Sequence, residues 1–289
     1  MADNSRALNR VFTRGVIKEL IENGSSDVFD DVVRRYVDDH DSKTHGELFS
    51  EIYSRLGKER RNEYYYMNTL LNILLVGIHS VNTTTALSQV RIGNHIADFV
   101  MINGEGLVYE IKSDLDNFDR LYEQLVDYYK AFSKVSVLSS IHELDHVGRV
   151  LSGFGEMGDA VGIYVLSERS TIFGTNNSRK PEQYRKKLDH DCIFKLMRKR
   201  EYESLITSQY GSIPQTTPVL HFRACLEQFR QIPILAAQNL TYKELKKRNR
   251  ISKADFQSVS SELKSVVYFS NLSNKLADIE KLLQTTYGR

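Results

Sequence analysis

Two short stretches hold the residue types and spacings that could do chemistry: Ile96-Ala97-Asp98-Phe99-Val100-Met101-Ile102 and Leu107-Val108-Tyr109-Glu110-Ile111-Lys112. Asp98 is a lone carboxylate inside an otherwise apolar run. A carboxylate there costs stability unless it is paired or holds a cation. Glu110 and Lys112 are two residues apart, so on a strand they point to one face. Two carboxylates and an ammonium converging on a sheet suit a hard divalent cation with oxygen ligands. Such an ion would take oxygen from Asp98, from Glu110 and from the main-chain carbonyl of Ile111, and would polarise a phosphodiester. Lys112 would orient the attacking water or neutralise charge developing on the phosphate. The expected ion is Mg²⁺, with Mn²⁺ as a substitute.

This chemistry carries a geometric condition. If a hairpin pairs Ile102 with Leu107, Asp98 faces Ile111 and the two carboxylates part. A shift of one residue brings Asp98 opposite Glu110 on one face. The loop Asn103-Gly104-Glu105 gives that shifted register, because Gly104 or Asn103 accepts a positive φ. The competing reading of Glu110 and Lys112 is an exposed, salt-bridged strand edge.

The pattern of an Asp on one strand and Glu-x-Lys on the next resembles the PD-(D/E)xK nucleases, with Ala97 where the motif name has proline. The following segment, Gln124-Leu-Val-Asp-Tyr128, is similar to the Gln-x-x-x-Tyr motif of the RecB-like members, whose two residues share a helix face. The family often carries a Glu on the helix before the first strand; Glu63 fits that place and Glu51 less well. The resemblance spans about residues 60 to 166. It implies a restriction-endonuclease-like fold, metal ligation by Asp98, Glu110, Ile111 and Glu63, and catalytic roles for Asp98, Glu110, Lys112, Gln124 and Tyr128. It also implies a deoxyribonuclease, of a kind found among bacterial and phage-borne proteins in phage–host conflict.

These residues must be positioned by the surrounding elements. Residues 1 to 80 show helical spacing: Val11, Val16, Leu20 and Ile21, with a stop at Asn23-Gly24; Val28 to Val37, capped by Ser26 or Asp27; Leu48 to Leu56, ending at Gly57; and Glu63 to Val76. The texture then changes to short β-branched and aromatic runs at 88–92, 95–102 and 106–112. A helix is expected from Phe118 to Phe132, with N-caps among Asp114, Asp116 and Asn117. Strands at Val135–Leu138 and Val161–Leu166 flank a helix at His142–Leu151 and a loop from Ser152 to Gly158, and Ser170–Phe173 offers one more strand. The expected architecture is therefore α/β: a mixed sheet flanked by helices, between helical N- and C-terminal regions. The divisions fall at 1–58, 59–175 and 176–289.

Bulk properties bound the rest. The 289 residues are 41% apolar and carry a formal net charge of +2, so no global cationic field marks a polyanion partner. Local basic segments would have to supply nucleic-acid contacts: Arg179, Lys180, Arg185, Lys186 and Lys187, with Tyr184 among them, and Lys246 to Arg250. The alternative for each is a solvated helix face. Residues 242–267 resemble a helix-turn-helix about Arg250–Lys253 only loosely, and a helical packing module is the commoner explanation. Cys192 and Cys225 are too few for a disulfide framework or a four-cysteine zinc site. His142 and His146 read as surface residues, and His95 as a polar strand end. There is no secretory signal and no run long enough to span a membrane. The expectation is a cytoplasmic protein whose partner is nucleic acid, DNA before RNA, with a homodimer permitted but demanded by no residue pattern. Two other readings compete: a catalytically silent nucleic-acid-binding protein of the same fold, and a helix-turn-helix regulator.

Overall fold

In this computed structural model residues 4–59, 61–113, 116–172, 179–248 and 251–288 are described. The chain forms two units. One comprises Met1–Asn82, Ser113–Leu115 and Ile251–Arg289; the other comprises Thr83–Lys112 and Asp116–Arg250. These boundaries fall elsewhere than the divisions at 58 and 175 drawn from the sequence.

The first unit opens with α1 (Asn4–Val11), α2 (Arg14–Asn23), α3 (Asp27–Tyr36), α4 (His45–Glu59) and α5 (Glu63–Asn72), which a π-helical turn extends over Ile73–Ile78. Gly24 closes α2 in the left-handed conformation, as its place after Asn23 predicts. Ser26 stands at the N-cap of α3 but does not cap it; its hydroxyl donates instead to Glu19 Oε2 at 2.6 Å. The expected stop at Gly57 does not occur, since α4 runs through it. Val16, Ile17, Leu20, Phe29, Val33, Phe49 and Ile52 form the interior, which follows from the helical spacing of apolar residues.

The second unit is built on a mixed five-stranded sheet of order β1-β2-β3-β4-β5: Thr85–Ile92, His95–Asn103, Glu105–Lys112, Lys134–Ser140 and Gly162–Leu166. The first three strands form an antiparallel meander; β4 and β5 run parallel to β3. Parallel neighbours need crossovers, and helices supply them. Between β3 and β4 lies α6 (Leu121–Tyr128); between β4 and β5 lie α7 (Leu144–Ser152) and α8 (Glu156–Ala160). The helix expected from Phe118 thus begins three residues late, after a turn in which Leu121 N–H donates to the Phe118 carbonyl at 3.0 Å. Leu121, Leu125 and Tyr128 recur at helical spacing and are fully buried with Val100, Val108, Val135 and Val137. Burying each large side chain contributes about 1.5–3 kcal/mol.

The segment 152–158, expected as a loop, leads into α8. Ser170 lies in a turn, with Ser167 N–H donating to the Thr171 carbonyl at 2.9 Å, rather than in a strand; Phe173 is outside the described residues. The outer side of β5 is instead bridged by Arg179, whose main chain exchanges hydrogen bonds with Ile163. Helices α9 (His190–Lys195), α10 (Lys199–Tyr210), α11 (His221–Phe229) and α12 (Ile234–Lys246) complete this unit. Tyr242 of α12 stacks on Phe132 with ring centroids 5.4 Å apart. The chain then rejoins the first unit as α13 (Lys253–Ser258), α14 (Lys264–Phe269) and α15 (Leu276–Gln284). The loose helix-turn-helix is therefore not one module: α12 belongs to the sheet unit, α13 and α14 to the helical one, and Arg250 lies outside the described residues. Among the described residues no helix is long and apolar enough to cross a membrane.

Candidate active site

The hairpin between β2 and β3 adopts the shifted register. Ile102 pairs with Gly106 and Asn103 with Glu105, with Gly104 alone at the turn at φ 75°. A positive φ there strains any residue with a Cβ, which is why glycine sets the register. The same register carried up the strands places Asp98 opposite Glu110. The main-chain ladder ends one pair short, at Phe99 and Tyr109, and Ile111 N–H donates instead to Asp98 Oδ2 at 2.8 Å. Asp98 thus crosses to β3 through its side chain.

Glu110 sits in the centre of the sheet with 2% of its surface exposed, and Lys112 has 7%. Burying a carboxylate at that depth requires compensation on each oxygen. Lys112 Nζ lies 3.1 Å from Glu110 Oε1. Gln124 Nε2 donates to the same oxygen at 2.5 Å, and Gln124 Oε1 accepts from Lys112 Nζ at 2.9 Å. The Tyr128 hydroxyl lies 2.6 Å from Glu110 Oε2 and 2.9 Å from the Ile96 carbonyl, sharing one proton between two acceptors. Burial, reinforced by the charge of Glu110, holds the Tyr128 hydroxyl far above its ordinary pKa, so it remains a donor. Gln124 and Tyr128 are one helical turn apart on α6, and that spacing lets one helix reach both oxygens of one carboxylate.

The position of α6 is fixed by a contact that sequence reasoning missed. Asp127, 4% exposed, accepts from Lys130 Nζ at 2.6 Å and from the Asn94 main-chain N–H at 2.8 Å, and His95 Nδ1 lies 2.7 Å from its Oδ2. Burial works to raise the Asp127 pKa; Lys130, His95 and Asn94 outweigh it and hold the carboxyl below its ordinary value. Gly93, at φ 59°, makes room for this contact, since a Cβ there would lie 2.6 Å from Asp127 Cγ. The helix bearing Gln124 and Tyr128 is in this way tied to the turn that launches β2 and Asp98. His95 belongs to this tie. The only local signal was a carboxylate next to a core tyrosine, and no local pattern pairs it with residue 93 or 95.

The structure therefore brings Asp98, Glu110, Lys112, Gln124 and Tyr128 together, with the Ile111 main chain between them. Among the described residues no group of three His, Cys, Asp or Glu side chains has metal-holding geometry. The donor set at this place is two carboxylates and the Ile111 carbonyl: all oxygen, and in type suited to a hard divalent cation. Glu63, expected as a further ligand, stands exposed in the first turn of α5, in the helical unit. Glu51, in the same unit, pairs with Lys43 at 2.6 Å.

Of the five residues expected to contact nucleic acid, Arg179 is engaged otherwise: its guanidinium donates to the carbonyls of Val161 (2.9 Å) and Gly158 (2.7 Å), which fixes the entry to β5. Arg185 donates to Gln183 and Lys186 pairs with Glu156, all on the surface. Lys180 and Lys187 are exposed. His146 pairs with Glu143 at 3.0 Å on the surface, as expected for it, and Cys192 and Cys225 are free.

A family model described as Bacteriophage P4 protein cII matches residues 57–280, which take in the sheet, the cluster and most of the helices that follow. No curated protein and no solved structure matches the chain.

Proposed function

The chain belongs to the family of bacteriophage P4 protein cII, and we propose that this member is a metal-dependent nuclease of the PD-(D/E)xK type, acting on DNA. One observation carries the reading: a carboxylate buried in the middle of a sheet, Glu110, is held by Lys112, Gln124 and Tyr128, at the register position facing Asp98. Replacing a buried ion pair by apolar side chains is often neutral or stabilising, so stability alone gives little reason to keep this pair and the partners that satisfy it. A cluster of buried charge maintained at this cost supports the reading of this place as a functional site.

Asp98, Glu110 and the Ile111 carbonyl would hold Mg²⁺, or Mn²⁺ in its place. The ion, when bound, supplies Lewis-acid polarisation of the phosphodiester. The remaining work falls to the chain. Lys112 places a positive charge beside the carboxylates, where it can orient water and neutralise charge gathering on the phosphate. Gln124 steers Lys112 by accepting from its ammonium while donating to Glu110. Tyr128 pins the second oxygen of Glu110 and so fixes the direction of its lone pairs. Lys180 and Lys187 are exposed cations for phosphate contacts along the strand.

A second reading, a catalytically silent nucleic-acid-binding protein, draws on the direct contact of Lys112 with Glu110, which meets the carboxylate without any ion. Cleavage of labelled single- and double-stranded DNA and RNA separates the two, with wild type, Asp98→Ala and Lys112→Ala compared in Mg²⁺, Mn²⁺ or EDTA. The nuclease reading expects metal-dependent cleavage of DNA, lost in both variants. Binding without cleavage by folded wild type supports the silent binder, and equal residual cleavage in all three proteins indicates a contaminant.

A further inference from the structure

The sheet face that carries Asp98 and Glu110 is closed at one end and open at the other. Val100, Ile102 and Val108 lie in the core with Leu121 and Leu125 of α6. Past them along β2 the burial fades: Asp98 is half-buried and Ile96 is 39% exposed. Arg91 of the edge strand β1 stands on this open part. It is exposed, whereas Val90 and Ile92 on either side of it are half-buried and buried. Arg91 pairs with Ile96, so the two side chains share a face. The β2–β3 register, continued past Asp98 and Glu110, sets Ile96 level with Lys112. One row across the sheet thus reads Arg91, Ile96, Lys112, next to the row that holds both carboxylates. Arg91 is two strand spacings, about 10 Å, from Lys112.

We infer that Arg91 is a substrate-contacting residue, whose guanidinium donates to the phosphate next to the scissile one on a nucleic-acid strand lying over Glu110 and Lys112. Its place beside a scissile phosphate rests on the nuclease reading above. Two observations favour a phosphate partner. Two carboxylates and one ammonium leave the cluster net negative, and a polyanion needs cations beside it to approach. Arg91 supplies one on the open side, at the level of Lys112. Its planar fork of donors matches phosphate oxygens two at a time. Unlike Arg179, Arg185 and Lys186, which other groups engage, Arg91 is in no hydrogen bond or ion pair among the described residues.

The test reads binding apart from cleavage. Fluorescence anisotropy of a labelled DNA oligonucleotide is measured in Ca²⁺ over a range of KCl, with wild type, Arg91→Ala and Arg91→Lys, alongside thermal unfolding. Arg91→Ala is expected to bind about tenfold more weakly, and the slope of log Kobs against log salt to shrink by about one. Its unfolding temperature is expected to stay within about 1 °C of wild type, as for a surface substitution. Arg91→Lys keeps the charge and so the slope, but binds more weakly than wild type because it lacks the fork. Wild-type affinity and slope in Arg91→Ala overturn the inference and leave the arginine as a charge that guards an edge strand. The nuclease reading survives that result if metal-dependent cleavage is still lost in Lys112→Ala. Weakened binding by Arg91→Ala with no cleavage by wild type keeps the phosphate contact and sinks the nuclease reading. A folded wild type that neither binds nor cuts DNA overturns both.

Discussion

Replacing Lys112 by methionine should turn the stability of this protein into a function of divalent-metal concentration. The methionine keeps the aliphatic bulk and removes the ammonium that lies 3.1 Å from Glu110 Oε1. Both partners are almost wholly buried, and breaking such a pair from one side costs about 3–5 kcal/mol, because the remaining charge is left uncompensated. Gln124 and Tyr128 still donate to Glu110 in the variant, which places the loss near the lower end, about 3 kcal/mol. At about 2–4 °C per kcal/mol for a unit of this size, the unfolding temperature in EDTA should drop by about 6–12 °C. On the proposed metal-dependent reading, a divalent cation held by Asp98 and Glu110 would do the electrostatic work of the missing ammonium. At a hundred times its dissociation constant it returns about 2.7 kcal/mol, nearly the whole loss. Wild type should respond less, since its lysine competes with the ion for the same carboxylate. Thermal unfolding of wild type, Lys112→Met and Lys112→Met with Asp98→Asn, titrated with Mg²⁺ or Ca²⁺, reads this directly. An equal metal response in wild type and Lys112→Met, or none in the variant, would refute the argument that lysine and cation share one place.

Two further outcomes follow from the same geometry. Tyr128→Phe deletes a buried hydroxyl with two acceptors, Glu110 Oε2 and the Ile96 carbonyl; a loss of about 2–3 kcal/mol is expected in urea unfolding with an unchanged m-value, and a loss under about 0.5 kcal/mol would show that the hydroxyl does not hold the carboxylate. Because the folded-state pKa of Asp127 is lowered, its charged form contributes stability above the unfolded value near ~3.9, and that contribution disappears as pH falls through the folded value. Asp127→Asn should therefore flatten the acid limb of the stability curve below about pH 4, and a variant whose acid limb matches wild type would remove Asp127 as the anchor of α6.

The register of the β2–β3 hairpin was legible in the sequence because one glycine decides it locally. Gln124 and Tyr128 were singled out through the resemblance to the Gln-x-x-x-Tyr motif, and their shared helix face is what lets both reach Glu110. The tie between Asp127 and residues 93–95 was not, since it joins parts of the chain more than thirty residues apart and each half looks ordinary alone. That Arg179 closes two carbonyls was not legible, because charge composition cannot separate a cation facing solvent from one bonded to the main chain. The strand expected at Ser170–Phe173 failed on turn chemistry, with Ser167 and Ser170 closing the chain on itself.

The helical unit is assembled from both ends of the sequence, with the sheet unit as an insertion between its halves. Its last helix, α15, packs on α4 and α2, and His45 donates its main-chain N–H to the Thr285 carbonyl at 3.0 Å. During synthesis the insertion emerges whole while its host still waits for residues 251–288. Vectorial folding should thus complete the sheet unit first and leave α1–α5 with an open apolar seam until residues 251–288 have been made. Removing α13–α15 would not trim a tail; it would leave the N-terminal helices permanently half-built, and such a truncation should be held by chaperones rather than accumulate as a smaller folded protein.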